Sequence, residues 1–119
     1  MAIDAYLKVA AGQLRRAASA LQNEHEDTRR AINDKEQEMR STVAELQVRS
    51  KFKRAELSPN LSPQQRDIKV REIRGIDQKI SDVQHQTEQQ RNEKLGKIQE
   101  LEREINYLIT KANELEKQT

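Results

Sequence analysis

Two histidines, 20 carboxylates and 22 cationic side chains supply most of the reactive groups of this 119-residue chain. A di-iron helical bundle takes a Glu-x-x-His pair from facing helices, with further carboxylates beside it. Asp82 and His85 have a related spacing, but Gln22 stands where an acid three residues before His25 is needed. In the hairpin register developed below, the two histidines lie about 11 residues, or ~16 Å, apart along the helix axis. That is too far to share one metal ion. His25 is expected as a polar residue of a helix seam and His85 as a surface residue. With no cysteine, disulfides and thiolate metal sites are excluded, and the chain suits a reducing compartment. No serine has a His or Lys base placed beside it by a recognisable motif. Gly12, Gly75 and Gly96 are too scattered to build a phosphate loop. Carboxylate pairs carry no diagnosis here, because Glu is common on solvated helix faces. The expectation is a protein that is not an enzyme and holds no cofactor or metal.

A basic cluster is the second chemical feature. Residues 49–74 contain Arg49, Lys51, Lys53, Arg54, Arg66, Lys69, Arg71 and Arg74, against Glu56, Asp67 and Glu72. That segment therefore carries +5, while the whole chain carries +2 and the remainder −3. Such a patch could contact phosphates or an acidic surface. Phe52 is its only aromatic residue, so stacking of single-stranded bases has little support. The competing reading is a set of solvated cations on exposed helix faces.

The elements that position these groups follow from composition and spacing. Only 34% of the chain is hydrophobic, 35% is charged and 3% is aromatic, thin material for one compact core. The turn signals of a sandwich or barrel are missing. The balance fits long helices and coiled coils. Both prolines lie in Ser58-Pro59-Asn60-Leu61-Ser62-Pro63, where each disfavours helical geometry in the serine before it. Ser62 then suits the N-cap of a new helix, with Pro63 at its first position and Gln65 closing a capping box. These signals predict a single unit over residues 1–119: a helix over 3–57, a turn over 58–62 and a helix over 63–117. Each helix would be about 80 Å long.

Heptads support the pairing. Leu7, Leu14 and Leu21 recur every seven residues, as do Ala11, Ala18, His25, Ile32, Met39 and Leu46. The second half carries Ile73, Ile80, Thr87, Lys94, Leu101, Leu108 and Leu115, with Ile76, Val83 and Gln90 shifting to Ile98, Ile105 and Ala112. The pattern describes an all-α, long antiparallel two-helix coiled-coil hairpin. Placing the loop centre between Asn60 and Leu61 puts residue i opposite residue 121 − i. Thr28, Lys35, Thr87, Gln90 and Lys94 interrupt the seam and predict a weakly stabilised middle. A domain-swapped open rod is compatible with the same short loop.

Towards the termini the apolar stripes are wider than two helices need. Leu7, Leu14, Leu21, Leu101, Ile105, Leu108 and Ile109 are the expected seam and association face. Dimerisation through them would complete a four-helix bundle, and helices of another protein would serve equally. The N-terminal stretch has an alanine-rich face without Trp or Phe, which argues against membrane binding. No apolar run approaches the roughly 18 residues of a membrane span.

In outline the chain is similar to prefoldin-like chaperone subunits, to small export-apparatus coiled coils and to the tRNA-binding helical arm of seryl-tRNA synthetase. The link between its helices lacks the β-hairpins of the first, and no motif is shared with any of them, so no family is assigned. The functional expectation is a cytoplasmic, non-enzymatic coiled-coil interaction module, acting as scaffold, adaptor or assembly subunit. Its partners would be further copies of itself or another helical protein. The alternative is a nucleic-acid-binding arm that uses the basic tip.

Overall fold

Helix α1 spans Ala2–Ala55 and helix α2 spans Pro63–Lys117, 54 and 55 residues in a computed structural model that describes residues 2–119 (side chains from residue 3). No strand occurs among the described residues. The two helices pack against each other as an antiparallel hairpin. The first ends two residues before the expected Leu57, with Glu56 N–H shared between the carbonyls of Phe52 and Lys53, both 3.2 Å away. This tightened last turn is a usual way to satisfy the orphan carbonyls of a helix end.

The restart is built as its residues dictate. Gln65 N–H donates to Ser62 Oγ and Ser62 N–H donates to Gln65 Oε1, each at 3.2 Å. Two orphan donors are thereby satisfied reciprocally, and Pro63 occupies the first helical position. Between the helices, Leu61 N–H reaches the Ser58 carbonyl at 3.2 Å, with Pro59 at the turn position its fixed φ suits. Asn60 N–H donates to Ser58 Oγ at 3.2 Å.

Packing divides the chain into two units. One joins α1 as far as Ile32 to Asn92–Thr119; the other is continuous over Asn33–Arg91. In the first, Ala11, Ala18, Ile32, Ile98, Leu101, Ile105 and Ala112 are buried. In the second, Val43, Leu46 and Ile73 are buried together with Ser50. The most completely enclosed residues are alanines, at 1%, 2% and 0% exposure for Ala11, Ala18 and Ala112. Leu7, Leu14, Leu21 and Leu108 stay partly uncovered, because a single helix can cover only one side of its neighbour's stripe.

Five cross-helix pairs depart from the expected register by about four to six residues, while Glu24 meets Lys97 as that register places it. His25 was expected opposite residue 96 and bonds Glu102; Ser50 was expected opposite residue 71 and bonds Asp77; Glu36 was expected opposite residue 85 and pairs with Arg91. The reason lies in the linker. Glu56 pairs with Lys69 and Lys53 with Glu72, so Glu56–Ser62 runs beside the opening turns of α2. An extended residue can cover about 3.3 Å against ~1.5 Å in a helix, which gives the linker the slack to do so.

Each helix keeps one strict heptad row and shifts the other. In α1 the row Leu7, Leu14, Leu21, Thr28 continues one residue out of phase as Glu36, Val43, Ser50, Leu57, all of them buried or half-buried. The α2 row makes the same step between Gln90 and Ile98. Apolar spacing hides the α1 step because its first two new positions after Thr28 include a glutamate. The seam threonines satisfy themselves: Thr28 and Thr87 hydroxyls donate to the carbonyls of Glu24 and Val83, both at 2.8 Å. No buried side-chain N or O atom among the described residues lacks a hydrogen-bond partner.

Candidate functional site

In the unit formed by α1 to Ile32 and Asn92–Thr119, the two flanks of the seam differ. Arg15 crosses one flank as a fork: Nε to Glu116 Oε1 and Nη2 to Glu116 Oε2 at 2.9 Å each, with Nη2 also 2.7 Å from Asn113 Oδ1. The carboxylate raises the Arg15 pKa by accepting these bonds and by its charge, and the guanidinium holds Glu116 below the usual carboxylate range. His25, half-buried in the seam, continues this flank at 3.0 Å from Glu102 Oε1. At 100° per residue, Leu7, Leu14 and Leu21 lean away from Arg15 and share the other flank with Ala10 and Ala17. Leu108 is their counterpart on α2, beside a shallow groove lined by Arg103, Glu104, Tyr107 and Leu108. The Glu24–Lys97 pair, 2.9 Å, lies at one end of this apolar flank.

The seven expected association residues therefore occupy different places. Leu101 and Ile105 are interior to the two-helix seam, at 6% and 8% exposure. Leu7, Leu14, Leu21 and Leu108 are half-buried and border the apolar flank. Ile109, also half-buried, falls by helical spacing on the flank that carries Arg15 and Glu116. Ile3, Tyr6 and Tyr107 add exposed apolar surface, at 73%, 73% and 62%.

The basic residues of 49–74 do not act as eight free charges. Arg49 pairs with Glu45 at 2.8 Å, Lys53 with Glu72 at 2.9 Å, Arg54 with Asp77 at 2.7 Å and Lys69 with Glu56 at 2.7 Å. Hydrogen bonding from Lys69, its charge and that of Lys53 hold the Glu56 carboxyl below its ordinary range. Glu72, by hydrogen bond and charge, and then Glu56, raise the Lys53 pKa. Extending the segment to 45–77 brings in Glu45 and Asp77 and lowers its net charge to +3. Lys51, Arg66, Arg71 and Arg74 are exposed and form no ion pair among the described residues.

Two polar arrangements are invisible to apolar spacing. Ser50, 6% exposed, donates to Asp77 Oδ1 at 3.1 Å and accepts from Arg54 Nε at 3.3 Å, while Arg54 also binds Asp77 Oδ2. Glu36 holds a seam position 3.2 Å from Arg91 Nε. The heptad Val43–Ser50–Leu57 was the available signal for the first. Nothing short of the register could pair the second.

Among the described residues, no group of three or more His, Asp or Glu side chains is placed to hold a metal ion. His85 is exposed and contacts Gln89 at 3.2 Å. No helix among the described residues is long and apolar enough to cross a membrane. Comparison with protein-family models, curated proteins and solved structures finds no match to this chain.

Proposed function

We propose that this chain is a non-enzymatic coiled-coil interaction module, a scaffold, adaptor or assembly subunit, that associates through the apolar flank of Leu7, Leu14, Leu21 and Leu108. One observation carries the reading. Ala11, Ala18 and Ala112 are enclosed between the helices, while Leu7, Leu14 and Leu21, seven apart on α1, and Leu108 on α2 remain partly exposed. A further helix layer would remove that apolar surface from water at about 25 cal/mol per Å². The partner is a second copy or another helical protein, and cytoplasmic residence belongs to the reading because a cysteine-free chain suits a reducing compartment. Leu14→Glu and Leu108→Glu should each abolish the complex, seen as loss of the higher-mass species in light scattering, with circular dichroism still fully helical. Folded variants that associate like the parent would refute it.

A second reading is favoured by the four unpaired cations of the basic segment. A nucleic-acid arm that uses Lys51, Arg66, Arg71 and Arg74 would show a log K against log salt slope of about −3 to −4 on duplex DNA, against about −7 if all eight cations met phosphates. Charge reversal at these four that leaves affinity unchanged would remove this reading.

A further inference from the structure

The Asn33–Arg91 unit carries an open groove of about 610 Å³, lined by buried Leu46, half-buried Ile76 and exposed Phe52. That volume falls within the roughly 300–1,000 Å³ of ligand-sized clefts. All its lining residues belong to this unit, and none to the unit that carries the leucine flank. Phe52, the only phenylalanine, is 69% exposed. Ile68 stands seven residues before Gly75, a groove residue, so the two share one row of α2. At 57% exposure, Ile68 extends the open apolar surface towards the linker. Aromatic and aliphatic side chains left open beside a cleft are the makings of an interaction surface.

Charge sets the sign of what fits there. Arg49, Lys53 and Lys79 line the groove against one carboxylate, Glu72. Glu72 is held by Lys53 at 2.9 Å, and Arg49 by Glu45 at 2.8 Å. The nearby acids are therefore engaged, and Lys79 is left exposed without an ion pair among the described residues. A basic partner, or the same rim turned by a two-fold axis, would bring like charges together; carboxylates would meet Lys79 and the cationic surplus. The walls also decide the backbone form. Both are helices, whose backbone groups bond internally, so neither can accept an added strand. Polyproline recognition needs an aromatic-lined groove, and Phe52 is the only aromatic residue here. The remaining mode is an amphipathic helix laid into the groove by its apolar face.

We propose that this groove docks an acidic amphipathic helix of another protein, its apolar side chains packing on Leu46, Phe52 and Ile76 and its carboxylates meeting Lys79 and Arg49. The contact is independent of the leucine flank. The probe is a labelled, stapled helical peptide with leucines at i, i+3, i+4 and i+7 and glutamates on its other face, followed by fluorescence anisotropy at physiological salt. The same peptide with lysines in place of the glutamates is the control. The full chain should bind the glutamate peptide at least tenfold more tightly than the lysine peptide. Amide shifts should centre on Leu46, Phe52, Ile76 and Lys79. Phe52→Ala and Lys79→Glu, both at exposed positions, should each weaken binding at least fivefold with helicity retained. Leu108→Glu should bind the peptide like the parent, which separates this contact from the one proposed above. No binding, equal binding of the two peptides, shifts centred elsewhere, or affinity indifferent to both groove substitutions overturns the proposal. So does self-association of the chain that is lost on Phe52→Ala, since a second copy would then fill the groove.

Discussion

Ser50 sits where the heptad asks for an apolar residue, and the chain supplies a hydroxyl with two partners already aimed at it. Removing the acceptor is the informative change. Asp77→Ala leaves a buried hydroxyl without its acceptor and Arg54 without its counter-charge, which should cost about 1–2 kcal/mol. A lowered urea midpoint at constant m-value would show it, and an unchanged midpoint would mean that water replaces the carboxylate. Glu56 and Glu116 make a pH prediction. Both carboxyls titrate below their ordinary value of 4.5. On acidification the unfolded chain takes up these protons first, so their contribution is fully present above about 4.5 and is lost as pH falls through the lower folded values. Paired Glu56→Gln and Glu116→Gln substitutions should flatten this acid limb of the Tm–pH curve. Added salt should weaken it as well, because both pairs are solvent-exposed. Of the residue-level chemistry, the histidine positions and the capping box were legible because each depends on local spacing. The Ser50–Asp77–Arg54 cluster was not, since its members are 23 and 27 residues apart across the hairpin.

At the scale of elements, the start of α2 is the best specified point in the chain. Ser62→Ala removes one side of the capping box and should destabilise the hairpin by about 1 kcal/mol. The loss should be concentrated in faster amide exchange over the first turn after Pro63; exchange unchanged there would mean the proline alone sets the boundary. The seam shows why two long helices tolerate polar residues. Thr28 and Thr87 bond back to their own helices, and Glu36 finds Arg91. The division between the packed units falls at Ile32/Asn33 and Arg91/Asn92, inside the stretch where polar seam residues predict weak apolar stabilisation. One-residue shifts of the heptad rows cross the same stretch, and such shifts locally unwind a supercoil.

For the whole molecule, hydrophobic and electrostatic association predict opposite responses to salt. The chain is nearly neutral overall at +2, and half of its basic segment is consumed by internal pairs. Association through apolar flanks should therefore give a mass that rises with protein concentration and holds from low to moderate ionic strength. A complex that dissolves as the Debye length shrinks below about 10 Å would instead be held by charge. The sequence by itself determined the helical class, the two helices, the place of the break and the heptad stripes. Each of these rests on contacts within a few residues of one another or on a period repeated many times. Only the tertiary structure decided the register, because that depends on how much length the non-helical linker spans. From the register followed which cations are neutralised, and that Leu101 and Ile105 are interior while Leu7, Leu14, Leu21 and Leu108 stay partly exposed.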